Sequence, residues 1–401
     1  MDDKSTLLTD LFRAYFDARK HKRNTKSQLT FEMNLEENLI ELYNEIKERT
    51  YRVGRSICFM TTIPVKREVF AAGFRDRVVH HLLFNYIAPL FERTFIADNY
   101  SCRKGRGTLY GINRCEHHIR SCSDNYQRYC YILKLDIEGY FMNIDRQILY
   151  DIIMTTLHRF ADRPVGNGKK WVQHLDYDLL EYLIREIVFN DPTDGCEMRG
   201  KKKDWDGLPR NKSLFYTGKG CGLPIGNLTS QLFSNVYLTE LDNYIKRTLG
   251  EKHYGRYVDD FYIVNRDKER LLLLIPIIHD FLEKELHLRL HPNKIYLQGV
   301  DKGVNFLGVT IKPYRRYLMN KTKKRINKRM YDIARHPEMD IDKVVSVVNS
   351  YFGYMKHLNC WRYKQKLIAR NEGLLLRGRF KGEGQDRFVP WRFIGQSDKN
   401  P

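Results

Sequence analysis

Three carboxylates carry the strongest chemical signal in the sequence. Asp259 and Asp260 stand side by side in RYVDDFYIV (256–264), and Asp136 closes the run YILKLD (131–136). An Asp pair in a tight turn often does no more than cap local backbone amides. Here Val258, Phe261, Ile263 and Val264 flank the pair, so two like charges project from an otherwise buried hairpin. Such charges need compensation, and a divalent cation supplies it. Two ions about 3.5–4 Å apart can hold both the attacking and the leaving oxygen of a displacement at phosphorus, as in nucleotidyl transfer. Mg²⁺ prefers carboxylate oxygen and keeps part of its water, so two or three Asp from separate strands suffice. On this reading Asp136 and Asp259 bridge the ions, and Asp260 is a looser or outer ligand.

The elements that must position these groups are legible as patterns. From Tyr129 to Ile137, residues Tyr131, Leu133, Leu135 and Ile137 face one way, and Ile132, Lys134 and Asp136 the other. That is a strand with Asp136 at its end, on the less apolar face. Tyr254–Tyr257, Val258–Asp260 and Phe261–Val264 read as strand, tight turn and strand. Helical spacing runs through Leu7–Arg49 (with a basic stretch at Arg19–Arg23), Arg77–Phe95, Arg146–Leu157, Asp176–Phe189, Leu228–Leu249 and Leu271–Leu286, the last kinked at Pro276. Asn190–Gly222 is rich in Gly, Pro, Lys and Asp and reads as a loop or insertion. Short strands are expected around Lys294–Gln298 and Val304–Ile311, and basic helix from there to about Arg379. No internal repeat or low-complexity tract is visible.

Composition sets the class. The 401 residues are 42% hydrophobic and 13% aromatic, enough for two or three packed units. Lys and Arg number 69 against 49 Asp and Glu, a net charge of +20, with a pI near 9.5. From Lys312 onward there are 22 Lys and Arg against 8 Asp and Glu, net +14. Charge concentrated in this way predicts a polyanionic partner, nucleic acid before phospholipid, because no basic helix pairs with a Trp/Phe face. A disordered acidic chain and a collagen-like one are excluded. No run of 18 apolar residues predicts a membrane span, and MDDKSTLLTD lacks the pattern of a secretory signal. The eight cysteines include no Cys-x-x-Cys pair, so buried thiols in a reducing compartment are expected rather than zinc ligands or a disulfide framework.

With these readings in place, the chain resembles a reverse transcriptase from about Ile63 to Leu358. LDIEGYFMNID (135–145), GLPIGNLTSQ (222–231) and YVDD (257–260) resemble the first three catalytic blocks of that family. HPNK (291–294) and GVNFLGV (303–309) resemble the two that follow. Upstream, IPVKREVFAAGFRDRVVHH (63–81) and YSCRKGRGT (100–108) resemble the fingers blocks. The resemblance implies an α+β right-hand polymerase fold with fingers, a palm of antiparallel sheet plus helices, and a helical thumb. The corresponding division is an N-terminal helical extension at 1–60, fingers at 61–125, and a palm at 126–312 with an insertion near 158–220. A basic thumb at 313–380 and a tail at 381–401 complete it. It also implies two Mg²⁺ ions and dNTP substrates. Asp136, Ile137, Asp259 and Asp260 are the implied metal set, and Lys294 is the implied proton donor to the leaving pyrophosphate. Lys66, Arg67, Phe141, Ile225, Gly226 and Gln231 are the implied dNTP contacts. Among these, Phe141 is the aromatic gate whose ring excludes a 2′-hydroxyl, and Lys66 and Arg67 clamp the triphosphate. Arg75, Arg103, Tyr351 and Lys356 are the implied template–primer contacts, with Tyr351 and Lys356 on a thumb helix.

Two departures narrow the resemblance. Ile225-Gly226 stands where most of the family has Gln-Gly, and Ser230-Gln231 where it has Ser-Pro. Ile-Gly-x-x-x-Ser-Gln resembles the reverse transcriptases of diversity-generating retroelements, which copy a template RNA and misincorporate opposite adenine. An apolar Ile225 in place of a hydrogen-bonding residue weakens the geometric penalty on a wrong base. That type implies a template RNA, an RNA/DNA duplex and a small basic helical accessory variability protein as partners, no membrane, and a cytoplasmic, bacterial or phage-encoded enzyme. A retron or group II intron-like enzyme, and an abortive-infection or RNA-binding scaffold of the same fold, are the alternatives. A viral RNA-copying polymerase fits poorly with Phe141 and Val258.

Overall fold

The strands that carry the three carboxylates lie where the sequence patterns put them. In the computed structural model, which describes residues 7–20, 24–62, 65–161 and 176–391, the strands in chain order begin with β1 (Ile57–Thr61), β2 (Arg67–Ala71) and β3 (Tyr131–Asp136). Next come β4 (Glu197–Arg199), β5 (Tyr254–Tyr257), β6 (Asp260–Asn265), β7 (Tyr296–Gly299) and β8 (Val304–Phe306). The last are β9 (Val309–Lys312), β10 (Arg315–Leu318), β11 (Gly378–Lys381) and β12 (Arg387–Pro390). They form sheets in the orders β2-β1-β4, β5-β6-β3-β7 and β10-β9-β8, and the hairpin β11-β12. Helices cover them, and the fold is α+β. No described helix is long and apolar enough to cross a membrane.

The chain divides into two compact units. One comprises Met1–Gly107, Lys134–Ile263 and Glu269–Tyr296, the other Thr108–Leu133, Val264–Lys268 and Leu297–Pro401.

In the first unit, helices Leu7–Arg19 and Lys26–Met33 pack on the long helix Phe74–Thr94, and Leu35–Lys47 packs on those two. Tyr15, Phe31 and Phe74 cluster, with centroids 5.4–6.4 Å apart. Tyr51 donates to the buried Asp76 at 2.9 Å. The long helix begins at Phe74, three residues before the sequence pattern suggested. Residues 21–23 of the basic stretch, Ile63–Pro64 of the first fingers block and 162–175 of the expected insertion lie outside the described residues.

The polar segment 190–222, expected as a loop, does more than connect. β4 pairs parallel with β1 from Ile57↔Glu197 to Phe59↔Arg199. The buried Glu68 of β2 accepts Trp205 Nε1 at 2.8 Å, Ser213 Oγ at 3.0 Å and Leu214 N at 2.8 Å. A carboxylate with three donors tolerates burial, and this one anchors a segment with few apolar residues of its own. The expected helix Leu228–Leu249 is three pieces, Leu228–Tyr237, Thr239–Asn243 and a π-turn Tyr244–Thr248.

In the second unit, helices Asn320–Arg335, Ile341–Met355 and Trp361–Ala369 enclose a core of Ile326, Met330, Val348, Phe352 and Met355. The stretch expected as basic helix up to about Arg379 opens with β10, and its helical part is these three separate helices. Residues 381–391, expected as part of a tail, include β12. There Phe388 is 1% exposed, and it exchanges two hydrogen bonds with Asn349 at 2.6 and 3.0 Å. Residues 392–401 of that tail lie outside the described residues.

One position tests the packing of the site-bearing sheet. A Cβ at Gly255 of β5 would overlap the hydroxyls of Tyr100 and Tyr262, which bond each other at 2.9 Å. Gly255→Ala is expected to destabilise the fold by about 1–3 kcal/mol through overpacking. Thermal unfolding reads this as a lower Tm, and an unchanged Tm contradicts the packing.

Candidate active site

Two strand ends converge. β5 and β6 pair antiparallel with Tyr254↔Ile263 and Tyr257↔Asp260, so Val258 and Asp259 form the connecting turn. Asp260 is therefore the first residue of β6 rather than a turn residue. Val258 has φ of 58°, a left-handed conformation that is strained for a β-branched side chain. β3 lies next to β6 in the sheet and ends at Asp136. Both Ile132 and Leu133 are buried, so β3 is covered on both faces, beyond what alternation implied.

The charges of the trio are coupled. Asp259 keeps part of its surface in solvent, yet protein surrounds it closely. Desolvation, then the charge of Asp136 and more weakly that of Asp260, pushes its pKa up to about 6. Asp260 is raised as well, mainly by desolvation, with Lys134 opposing the shift. Each outer carboxylate has its own ammonium. Lys294 Nζ lies 2.8 Å from Asp136 Oδ1, and Lys134 Nζ lies 3.3 Å from Asp260 Oδ1. Among the described residues Asp259 has no ion pair of its own.

Local structure explains how Lys294 arrives. His291 N–H donates to the Asp136 carbonyl at 2.8 Å, and Glu138 N–H to the Arg289 carbonyl at 2.9 Å, so residues 289–291 run antiparallel to the end of β3. Pro292 then opens a short 3₁₀ turn, Pro292–Lys294, capped by the His291 ring. That turn brings the lysine back to Asp136.

Among the described residues no three His, Cys, Asp or Glu side chains enclose a metal ion by themselves. The trio still suits a hard divalent cation. Its donors are all carboxylate oxygens, and its like charges disfavour ionisation of Asp259 until a cation arrives. Mg²⁺ in addition needs only one or two protein carboxylates when substrate phosphate and water complete its shell. Ile137 is 1% exposed and apolar, so it could offer only its carbonyl oxygen.

The other expected residues fall into separate places. Phe141 and Ile225 pack against one apolar cluster of Cys58, Phe70, Met142 and Leu214. The Ile225 carbonyl accepts the Phe70 N–H at 2.9 Å. Gly226 has φ of 135°, and a Cβ there would lie 2.9 Å from the Phe70 carbonyl. Its requirement for glycine is thus met by approach to β2. Gln231 is exposed on helix Leu228–Tyr237, beside the buried Ser230. Lys66 Nζ donates to the Asp206 carbonyl at 2.6 Å, and Arg67, exposed, opens β2.

Arg75 lies over the Tyr51 ring and pairs with Glu45. Arg103, with its side chain 7% exposed, bonds Glu92 at 2.8 Å and the carbonyls of Ile96 and Asn99. Both arginines pair with carboxylates other than Asp136, Asp259 and Asp260. In the second unit Tyr351 packs against the helical core, and Lys356 is exposed at the end of helix Ile341–Met355.

Two features escaped the sequence reading. Alternation placed Lys134 on the face of Asp136 without suggesting a role. Arg256 is fully buried against Asp242, with Nη2–Oδ2 at 2.6 Å. The signal was available, since a charged residue inside an apolar strand demands a buried partner. Removing one partner of such a pair costs about 3–5 kcal/mol.

Comparison with known proteins gives the family of the chain. A curated relative, protein YkfC of Escherichia coli (strain K12), is 21% identical over 273 residues, covering 59% of this chain and 60% of its own length. Among solved structures the chain is similar to apo telomerase from Candida tropicalis truncated from its C-terminal domain. There the identity is 10% and the TM-score 0.46, over 70% of this chain and 60% of that one. It is also similar to telomerase from Candida albicans in complex with a TWJ fragment of telomeric RNA, at 10% identity and TM-score 0.47, over 84% and 60%. The chain thus spans about 60% of the length of these relatives. The family model described as reverse transcriptase (RNA-dependent DNA polymerase) matches residues 72–311. Since that match spans more than half of the chain, the chain belongs to the reverse transcriptase family, whose right-hand α+β fold its motifs led us to expect.

Proposed function

We propose that this protein is an RNA-directed DNA polymerase that copies a template RNA into cDNA from dNTPs. The observation that carries the reading is the convergence of Asp259, in the turn before β6, on Asp136 at the end of the neighbouring strand β3. Asp136 and Asp259 would hold divalent ions, with Asp260 beside them, and bound ions would neutralise charge on the attacking and leaving oxygens. Lys294, which pairs with Asp136, would release its hold and give a proton to departing pyrophosphate. The net charge of +20 suits a duplex partner.

Within the family we favour the diversity-generating type, on Ile225 and Gln231, with template RNA and a basic helical accessory protein as partners. A retron-like or group II intron-like enzyme, or a catalytically silent RNA-binding scaffold, is the alternative. The retained Asp136, Asp259 and Asp260 weigh against the scaffold. Ile225 also has a packing reason to be apolar, so the error spectrum decides. Sequencing of cDNA made in vitro is expected to show errors concentrated opposite template adenine. Equal rates at all four bases overturn the assignment.

Two substitutions test the site. Asp259→Asn is expected to lower primer extension on an RNA template by on the order of 10³-fold or more, with RNA binding retained. The same change should raise the Tm of the metal-free protein. The folded-state pKa of Asp259 lies above its ordinary value, so its ionised form costs stability. That cost is full above about pH 6 and vanishes below the ordinary pKa of 3.8. The gain in Tm should therefore be present at neutral pH and fade as the solution is acidified. Phe141→Ala should raise incorporation of ribonucleotides relative to dNTPs, measured by competition; an unchanged ratio removes Phe141 from the gate.

A further inference from the structure

The turn that carries Asp259 is held in a conformation its own sequence disfavours, and both polar groups of Val258 are tied to buried partners. The Val258 N–H donates to Ser101 Oγ at 3.1 Å. Its carbonyl accepts Arg256 Nη1 at 2.9 Å. Neither partner is free to drift. Ser101, 1% exposed, donates its hydroxyl to Asn235 Oδ1 at 3.1 Å and accepts Asn235 Nδ2 on its carbonyl at 2.9 Å. Arg256, with no exposed surface, grips Asp242 through Nε at 2.7 Å and Nη2 at 2.6 Å. The segment bearing Ser101 is itself fixed beside β5, where Tyr100 N–H donates to the Arg256 carbonyl at 3.0 Å and Arg256 N–H to the Asp98 carbonyl at 2.9 Å.

We propose that Ser101 and Arg256 are positioning residues for the polymerase reaction, pinning Val258 in its left-handed conformation and so fixing where the Asp259 carboxylate projects. The inference rests on the polymerase reading. A β-branched residue released from either pin relaxes toward negative φ, which rotates the peptide joining it to Asp259. The carboxylate then leaves the direction in which it meets the charge of Asp136. Neither pin touches a substrate, so its loss acts on the rate and on metal demand rather than on dNTP affinity. A misplacement of about 1 Å at a reacting centre costs roughly 100-fold in rate.

The test is a cycle between each pin and Val258→Gly, because glycine enters positive φ without a side-chain penalty. Ser101→Ala and Arg256→Met are expected to lower the single-turnover extension rate roughly 10- to 100-fold. The dNTP KM should stay within about twofold, and the Mg²⁺ concentration for half-maximal rate should rise about tenfold. Val258→Gly added to either variant should restore at least about tenfold of the lost rate. A merely structural role gives a lower Tm and a loss that Val258→Gly leaves unchanged or deepens, and that result overturns the proposal. Arg256→Met strands Asp242 in the core; if it fails to fold, Ser101→Ala, which removes one hydroxyl, carries the test alone. Asp259→Asn runs alongside. Wild-type protein that makes no cDNA, or Asp259→Asn that extends at the wild-type rate, defeats the polymerase reading and this inference with it. Active wild type, inactive Asp259→Asn and a Ser101→Ala variant as fast as wild type defeat the positioning role alone.

Discussion

Negative charge gathered at the end of two strands is the constraint around which the first unit is organised. Burial strips much of the water from Asp259 and Asp260, and the nearby charge of Asp136 adds to what disfavours their ionisation. The fold answers with Lys294 on Asp136 and Lys134 on Asp260. The central Asp259 is left without an ion pair among the described residues. Such an arrangement sacrifices stability for readiness to bind a cation, the usual compromise where function needs an unfavourable group.

The same constraint accounts for the supporting shell. A strained turn keeps its shape only when its neighbours over-determine it, and here the neighbours are the buried pair Asp242–Arg256 and the pair Asn235–Ser101. The helix that supplies Asp242 is broken at Leu238 and ends in a π-turn, irregularities that are common beside functional sites. Packing of Tyr100 and Tyr262 over Gly255 closes the sheet behind the turn.

How much of this was legible depended on the range of the interaction. Strand alternation placed Asp136 at the end of β3, and the hairpin pattern placed Asp259 at its tip. Motif order carried the family. Helix Leu228–Tyr237 began where the spacing put it, but the break at Leu238 left no mark in hydrophobic periodicity. Lys134 and Arg256 were visible as charged residues on apolar strands, yet their partners lie 126 and 14 positions away in sequence, beyond what a local pattern encodes. The polar segment 190–222 misled because its anchoring depends on a single buried acid, Glu68, and not on apolar content. Segment 381–391 misled for the opposite reason, since one buried Phe388 among charged neighbours binds it to the helical core.

Glu68 also shapes how the chain reaches its folded state. The hairpin of β1 and β2 is local and can close soon after it is made. The three donors to Glu68 come from residues 137, 145 and 146 positions later. At about 5–20 residues per second, a ribosome delivers them roughly 7–30 s after the hairpin. During that interval the acid must stay hydrated and the outer edge of β1 lacks its parallel neighbour, so the nascent hairpin waits in an open, aggregation-exposed form until a distant part of the polypeptide emerges to cover it.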